Sequence, residues 1–147
     1  MAASQRRLGS AKGTPNPPVP QVSVEGDGAY ALIRFEGVLS VRRMESVIQE
    51  VVERDDFVPG MGTLWDLRAA DLSNVTSGDL RYLRQSRTDL APRRGSGRVA
   101  LLATDDLTFG ISRMVEASTA VPGISIMVFR DEGQAVSWVS GGEAPGS

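Results

Sequence analysis

Cysteine and histidine are both absent from this 147-residue chain. Without cysteine there is no disulfide, no thiolate nucleophile, no cysteine-ligated zinc and no iron–sulfur cluster. Without histidine the commonest general base and the commonest transition-metal ligand are missing too. What survives is carboxylate acid/base chemistry and Mg²⁺-type sites. Lysine is nearly absent: the 16 basic residues are fifteen arginines and Lys12. Arginine's fork suits bidentate phosphate or carboxylate contacts, but glycine and alanine are abundant as well, and a general compositional bias accounts for the same usage. Net charge is −2, so no global field draws the protein to nucleic acid or anionic membranes. Aromatics make up 5% of the chain and are scattered, which disfavours base stacking. No apolar run approaches the roughly 20 residues that span a bilayer, and Arg6 and Arg7 are not followed by an apolar stretch of signal-peptide type. The expectation is a cytoplasmic protein with no membrane span and no nucleic-acid partner.

What is present is one domain's worth of alternating elements between two polar ends. Residues 1–20 carry Ser, Gly and the cluster Pro15, Pro17, Pro18 and Pro20, with little to bury, and read as a disordered tail. Residues 141–147 read the same way, leaving 21–140 as the folded part. Gln21–Glu25 and Ala29–Glu36 predict two strands of a hairpin, joined by Gly26-Asp27-Gly28, which suits positive φ. Ser40 caps a helix to about Arg54, with Val41, Met44, Val47, Ile48, Val51 and Val52 on one apolar stripe. Met61–Leu67 is a third strand. Thr76, with Asp79 three residues on, is a variant capping box opening a helix to about Ala91, before Pro92. Arg98–Ala103 is continuously apolar after its first residue, as for a parallel strand covered on both faces. Thr104-Asp105-Asp106 begins a helix to about Ala120, with Leu107, Ile111, Met114, Val115 and Ser118 as its inward line. Ile124–Phe129 is the last strand, and Asp131 caps a short helix that Ala135, Trp138 and Val139 hold down. The order β-β-α-β-α-β-α-β-α predicts an α/β fold, a mixed, mostly parallel sheet of about five strands with four helices on its faces.

In such a sheet the carboxyl ends of the inner strands and the starts of the following helices share one edge, where binding sites lie. That edge gathers Glu36, Asp66, Arg68, Thr104, Asp105, Arg130, Thr76 and Ser77. Thr76, Asp79 and Asp131 are explained by capping. Asp66 and Arg68 end a strand instead; a structural ion pair and a ligand contact fit them equally. Phe109 lies off the apolar line of its helix with Arg113 one turn on, which suits an anchor for a partner or ligand, or a ring folded back on the sheet edge. Gly110 beside it points to close backbone approach. Arg81, Arg84, Arg87, Arg93, Arg94 and Arg98 make the region after Thr76 locally basic, as a solvated face or as a contact for a phosphate-bearing or acidic protein. Asp66 and Asp105 could share a proton or a Mg²⁺, but no glycine-rich phosphate loop, nucleophile elbow or dinucleotide fingerprint completes a mechanism.

The element order, with Asp66-Leu67 at a strand end, the loop Leu72-Ser-Asn-Val75 and then Thr76-Ser77-Gly78, resembles the STAS-like domains: the anti-anti-sigma regulators and the cytoplasmic domains of sulphate transporters. Those regulators carry an Asp-Ser-Ser/Thr-Gly switch where Thr76 here replaces the Asp. A bacterial group of uncharacterised STAS-like proteins is more similar still, through Asp66-Leu-Arg68, Arg98-Val-Ala100, Phe109-Gly110 with Arg113, and Phe129-Arg-Asp-Glu132 with Ala135 and Trp138. The resemblance implies a fold, shared with CRAL-TRIO-type lipid carriers, and no settled activity. The expected function is a non-catalytic module without metal or cofactor. It would bind a small anionic or apolar ligand, or a protein partner, through Asp66, Arg68, Ser77, Phe109 and Arg113. The second expectation is a phosphorylation-controlled anti-anti-sigma-type regulator, with Ser77 or Thr76 as acceptor. The third is a carboxylate- or Mg-dependent enzyme. Self-association through the Phe109–Arg113 face is expected as well.

Overall fold

The computed structural model describes the backbone over residues 20–94, 97–118 and 122–142, with side chains undescribed at 86–94 and at 118. The two tails expected at 1–20 and 141–147 therefore fall almost wholly outside the described residues. So do the side chains of Arg87, Leu90, Arg93, Arg94 and Ser118.

Nine elements follow in the expected order: β1 Gln21–Glu25, β2 Tyr30–Val38, α1 Val41–Val52, β3 Gly62–Asp71, α2 Ser77–Arg94, β4 Gly97–Leu102, α3 Asp106–Ser118, β5 Ile124–Phe129 and α4 Glu132–Val139. The strands lie in one sheet in sequence order, β1-β2-β3-β4-β5. Only the β1–β2 pair is antiparallel. Their turn places Gly26, Asp27 and Gly28 all at positive φ, which glycine adopts freely and aspartate tolerates. Each later strand is reached through a helix, so all four parallel strands point their carboxyl ends to the same edge.

Two cores flank the sheet. Helices α1, α2 and α3 pack Val41, Met44, Val47, Ile48, Val51, Leu80, Leu83 and Val115 against Ile33, Phe35, Trp65, Leu67, Val99 and Leu101. On the other face α4, alone among the described helices, sets Ala135, Trp138 and Val139 on Tyr30, Leu64, Ala100, Leu102 and Phe129. Trp138 lies 5.6 Å from Phe129, ring centre to ring centre, and is buried. Burying a side chain of this kind contributes about 1.5–3 kcal/mol. Gly62 is required under α4, because a Cβ there would collide with the Val139 carbonyl.

Three details depart from the sequence reading. Strand β3 runs four residues past Leu67, to Asp71, because Ala69, Ala70 and Asp71 pair with Glu36, Gly37 and Val38 after an irregularity in register. Helix α2 continues through Pro92 to Arg94; the proline lacks the N–H that would bond back one turn, and the helix ends two residues on. Helix α3 is rotated from its expected orientation. Thr108 and Ser112 face inward with Val115, whereas Leu107 and Met114 are exposed. The small inward residues let α3 approach the sheet, and Phe109 is drawn to one side by a cation.

Candidate functional site

Asp66 lies on the central strand, two residues beyond Leu64 and on the same, α4-covered face, as strand alternation requires. It is only 8% exposed, a costly place for an unpaired carboxylate. Arg68 supplies the pairing. Its Nε donates to Asp66 Oδ1 at 2.9 Å, its Nη2 donates to Oδ2 at 2.9 Å, and its backbone N–H donates to Oδ1 at 3.1 Å. A guanidinium reaches a carboxylate two residues back in any strand, but a backbone N–H turned onto that carboxylate needs an irregular one. The register shift between β2 and β3 occurs just here: Arg34 pairs with Asp66, but Glu36 with Ala69. An extra residue in β3 turns Arg68 back onto the aspartate, as bulges do.

Two further residues complete the cluster. Arg34 Nε lies 3.6 Å from Asp66 Oδ2, across the β2–β3 ladder. Arg68 Nη2 lies 3.3 Å from Glu132 Oε1, in the first turn of α4. Burial by itself would raise the Asp66 pKa. The side-chain and backbone hydrogen bonds from Arg68, with the nearby guanidiniums, overcome it and hold the carboxyl below its ordinary value. Arg68 is correspondingly held charged by its bonds to Asp66. Neither Arg34 nor Glu132 was singled out with Asp66 from the sequence. Arg34 is legible only once the strands are registered, and Glu132 only once α4 is folded back over the sheet.

The other expected site residues lie with the opposite layer. Thr76 and Asp79 form the capping box in both directions: Thr76 N–H donates to Asp79 Oδ2 at 2.9 Å, and Asp79 N–H donates to Thr76 Oγ1 at 3.1 Å. Ser77 is the exposed first residue of α2. Phe109 is half-buried beneath the Arg130 guanidinium, 4.1 Å from the ring centre. Arg130 also donates to the Thr104 carbonyl and to Asp106 Oδ1, both at 2.9 Å. Arg113 is exposed and pairs with Glu116 at 3.0 Å. Gly110 has no close neighbour: a Cβ there meets nothing within 4 Å, so no chain segment approaches it among the described residues. Asp66 and Arg68 thus form one cluster on the α4 side, while Ser77, Phe109 and Arg113 belong to the α2 and α3 layer.

Asp105 is committed to α3. Its Oδ2 accepts from Thr108 N–H at 2.9 Å, and that bond lowers its pKa. The carboxylate that feels its charge is Asp71, not Asp66. Each of the two carboxylates expected to share a proton or Mg²⁺ has its own partner, Arg68 for Asp66 and Thr108 N–H for Asp105. Among the described residues no group of three or more Asp or Glu side chains is placed to hold a metal ion.

All four helix starts carry their own caps: Ser40 accepts from Arg43 N–H, Thr76 and Asp79 bond each other, Asp105 serves α3, and Asp131 accepts from Gln134 N–H at 2.8 Å. Over the β3–β5 part of this edge the sequence places seven carboxylates, Asp66, Asp71, Asp79, Asp105, Asp106, Asp131 and Glu132, against the guanidiniums of Arg68, Arg81 and Arg130. A pocket of about 330 Å³ lies at the other edge instead, lined by Gly60, Gly62, Gly97, Arg98 and Ser140 among others.

The fold is SpoIIAA-like. The crystal structure of an uncharacterized protein from the DUF3478 family with a SpoIIAA-like fold, from Shewanella loihica PV-4, superposes with a TM-score of 0.56 at 19% identity, over 87% of this chain and 99% of that one. No protein-family model matches the chain, and no curated protein does. Among the described residues no helix is long and apolar enough to cross a membrane.

Proposed function

We propose that this chain is a non-catalytic STAS-like docking module that recognises a basic protein partner at the strand-end edge, with Asp66 and Arg68 as its structural pivot. The observation carrying this reading is the acidic β3–β5 edge with every helix N-terminus already capped. An anion would meet capping side chains and like charge there, whereas Arg- or Lys-bearing surface would meet complementary potential. Asp71, Asp105, Asp106, Asp131 and Glu132 are all exposed and would make the contact. Arg68 positions Glu132, and Arg130 positions Asp106 and covers Phe109.

The test is cross-linked capture from the native host with the wild type and with an Asp71→Asn, Asp106→Asn, Glu132→Gln variant. A partner with a basic face, held by the wild type and lost by the variant at unchanged melting temperature, supports the reading. Equal capture by both excludes it.

A second reading, the phosphorylation switch, is favoured by the surroundings of Ser77. It is exposed at the first turn of α2, where the dipole favours negative charge. The Arg81 guanidinium reaches back to within 3.6 Å of a Cβ built at Gly78. Thr76 is the poorer acceptor because its hydroxyl is the cap. Intact-mass analysis of protein from the native host decides this: no phosphorylated species under any growth condition removes the switch and leaves the docking module.

A further inference from the structure

The two edges of the sheet are built differently. Edge strand β1 follows Pro20 and ends on Glu25, whose carboxylate accepts from the Ser23 hydroxyl; proline and charge are the usual guards of an exposed edge. Edge strand β5 reads Ile124-Ser-Ile-Met-Val-Phe129, with no charge, proline or glycine. Such a strand pairs with another if left open. Its outward groups can be identified. The carbonyls of Gly123 and Phe129 accept from the Gly97 and Ala103 N–H groups at the two ends of β4. The odd-numbered residues therefore turn their N–H and C=O toward β4, and Ile124, Ile126 and Val128 direct theirs outward. No described strand lies on that side.

We propose that β5 pairs antiparallel with the β5 of a second copy about a two-fold axis, joining the two five-stranded sheets into one. An axis at Met127 sets Ile126 opposite Val128 with both residues' outward groups facing each other, as a hydrogen-bonded antiparallel pair requires. A two-fold that reverses strand direction stands perpendicular to the sheet, so the helical layers of the two copies lie on the same side. Each α3 then faces the other, running in the opposite direction. The flank of α3 that borders β5 is marked by Phe109, because Arg130, the residue after β5, covers its ring. Arg113 and Glu116 follow on that flank. Across the axis each Arg113 meets the other copy's Glu116, so the surface is charge-complementary to itself. The Phe109–Arg113 face thus belongs to this interface, as its flank rather than its centre. A six-residue strand spans about 20 Å, and the helix layer about 10 Å below it is itself about 10 Å across, which gives a footprint on the order of 400 Å² per copy, in the class of weak, transient interfaces. The expected dimer dissociates in the micromolar range.

Sedimentation of the full chain from about 1 to about 500 µM, with amide exchange at both ends of that range, is the test. The expected result is a monomer–dimer equilibrium in which the Ile126 and Val128 amides gain protection on dimerisation. Ser125→Lys, at an exposed edge position, should weaken association at least tenfold and leave the melting temperature of the dilute protein unchanged. Arg113→Glu should also weaken it, and Arg113→Glu with Glu116→Arg should restore it. A monomer throughout the range, or a dimer indifferent to Ser125→Lys, overturns the proposal.

Discussion

Removing the Arg68 side chain tests how the central strand keeps a buried carboxylate. In the wild type Asp66 is only 8% exposed; Arg68→Ala removes both guanidinium bonds of 2.9 Å and uncovers part of the carboxylate. Asp66 keeps the backbone N–H of residue 68 and Arg34 at 3.6 Å. A hydrogen bond to a charged group contributes about 1.5–3 kcal/mol. The Arg68 side chain is 37% exposed, and solvent screening places the expected loss near the bottom of that range, about 1.5–2 kcal/mol. For a folded region of this size that is a drop of about 5–10 °C in melting temperature. The pH dependence is the sharper test. Asp66 has a folded pKa below its unfolded value, so its contribution is complete above about pH 4 and fades as pH falls through the folded pKa. In the variant the fork is gone and burial pushes the carboxyl upward. The gap between wild type and variant should therefore be widest at neutral pH and narrow below about pH 4. Urea unfolding at a series of pH values measures it. Equal stability at pH 7, or a gap undiminished at pH 3, would refute the argument.

Other outcomes follow from individual positions. Trp138→Ala should lose about 3–5 kcal/mol in urea unfolding, since Trp138 is the large anchor of α4 on the sheet; a loss under about 1 kcal/mol would contradict that role. The Ser112 hydroxyl is fully buried with no hydrogen-bond partner among the described residues, so Ser112→Ala should leave stability unchanged or raise it by about 1 kcal/mol, and a clear loss would reveal a hidden bond. Gly110 is exposed in mid-helix with open space around its Cα; Gly110→Ala should raise stability by about 0.5–1 kcal/mol, and a fall would mean that something packs there.

Local signals in the chain were enough for most of the fold. Ile124–Phe129 and Glu132–Val139 fall where their punctuation by Pro122-Gly123 and Asp131 puts them, and the α1 stripe is buried as its spacing requires. What failed was set by partners distant in sequence. The extension of β3 to Asp71 depends on β2 offering Glu36–Val38 beyond an irregular register. The rotation of α3 buries Thr108 and Ser112 and exposes Leu107 and Met114, a choice of face that the helix's own apolar spacing does not make. The site divided in the same way. Asp66 and Arg68 are close in sequence and were found together, but the sheet separates them from the layer of Ser77, Phe109 and Arg113. Arg34 and Glu132 enter only through strand pairing and helix return.

The most direct measurement of the proposed function is a residue-resolved NMR titration of the ¹⁵N-labelled chain with an arginine-rich peptide. The account predicts saturable amide shifts concentrated at Asp71–Ser73, Asp105–Thr108 and Asp131–Glu132, weakening as salt is raised. Shifts confined to the glycine-lined edge around Gly62, Gly97 and Arg98, or shifts that never saturate, would contradict it.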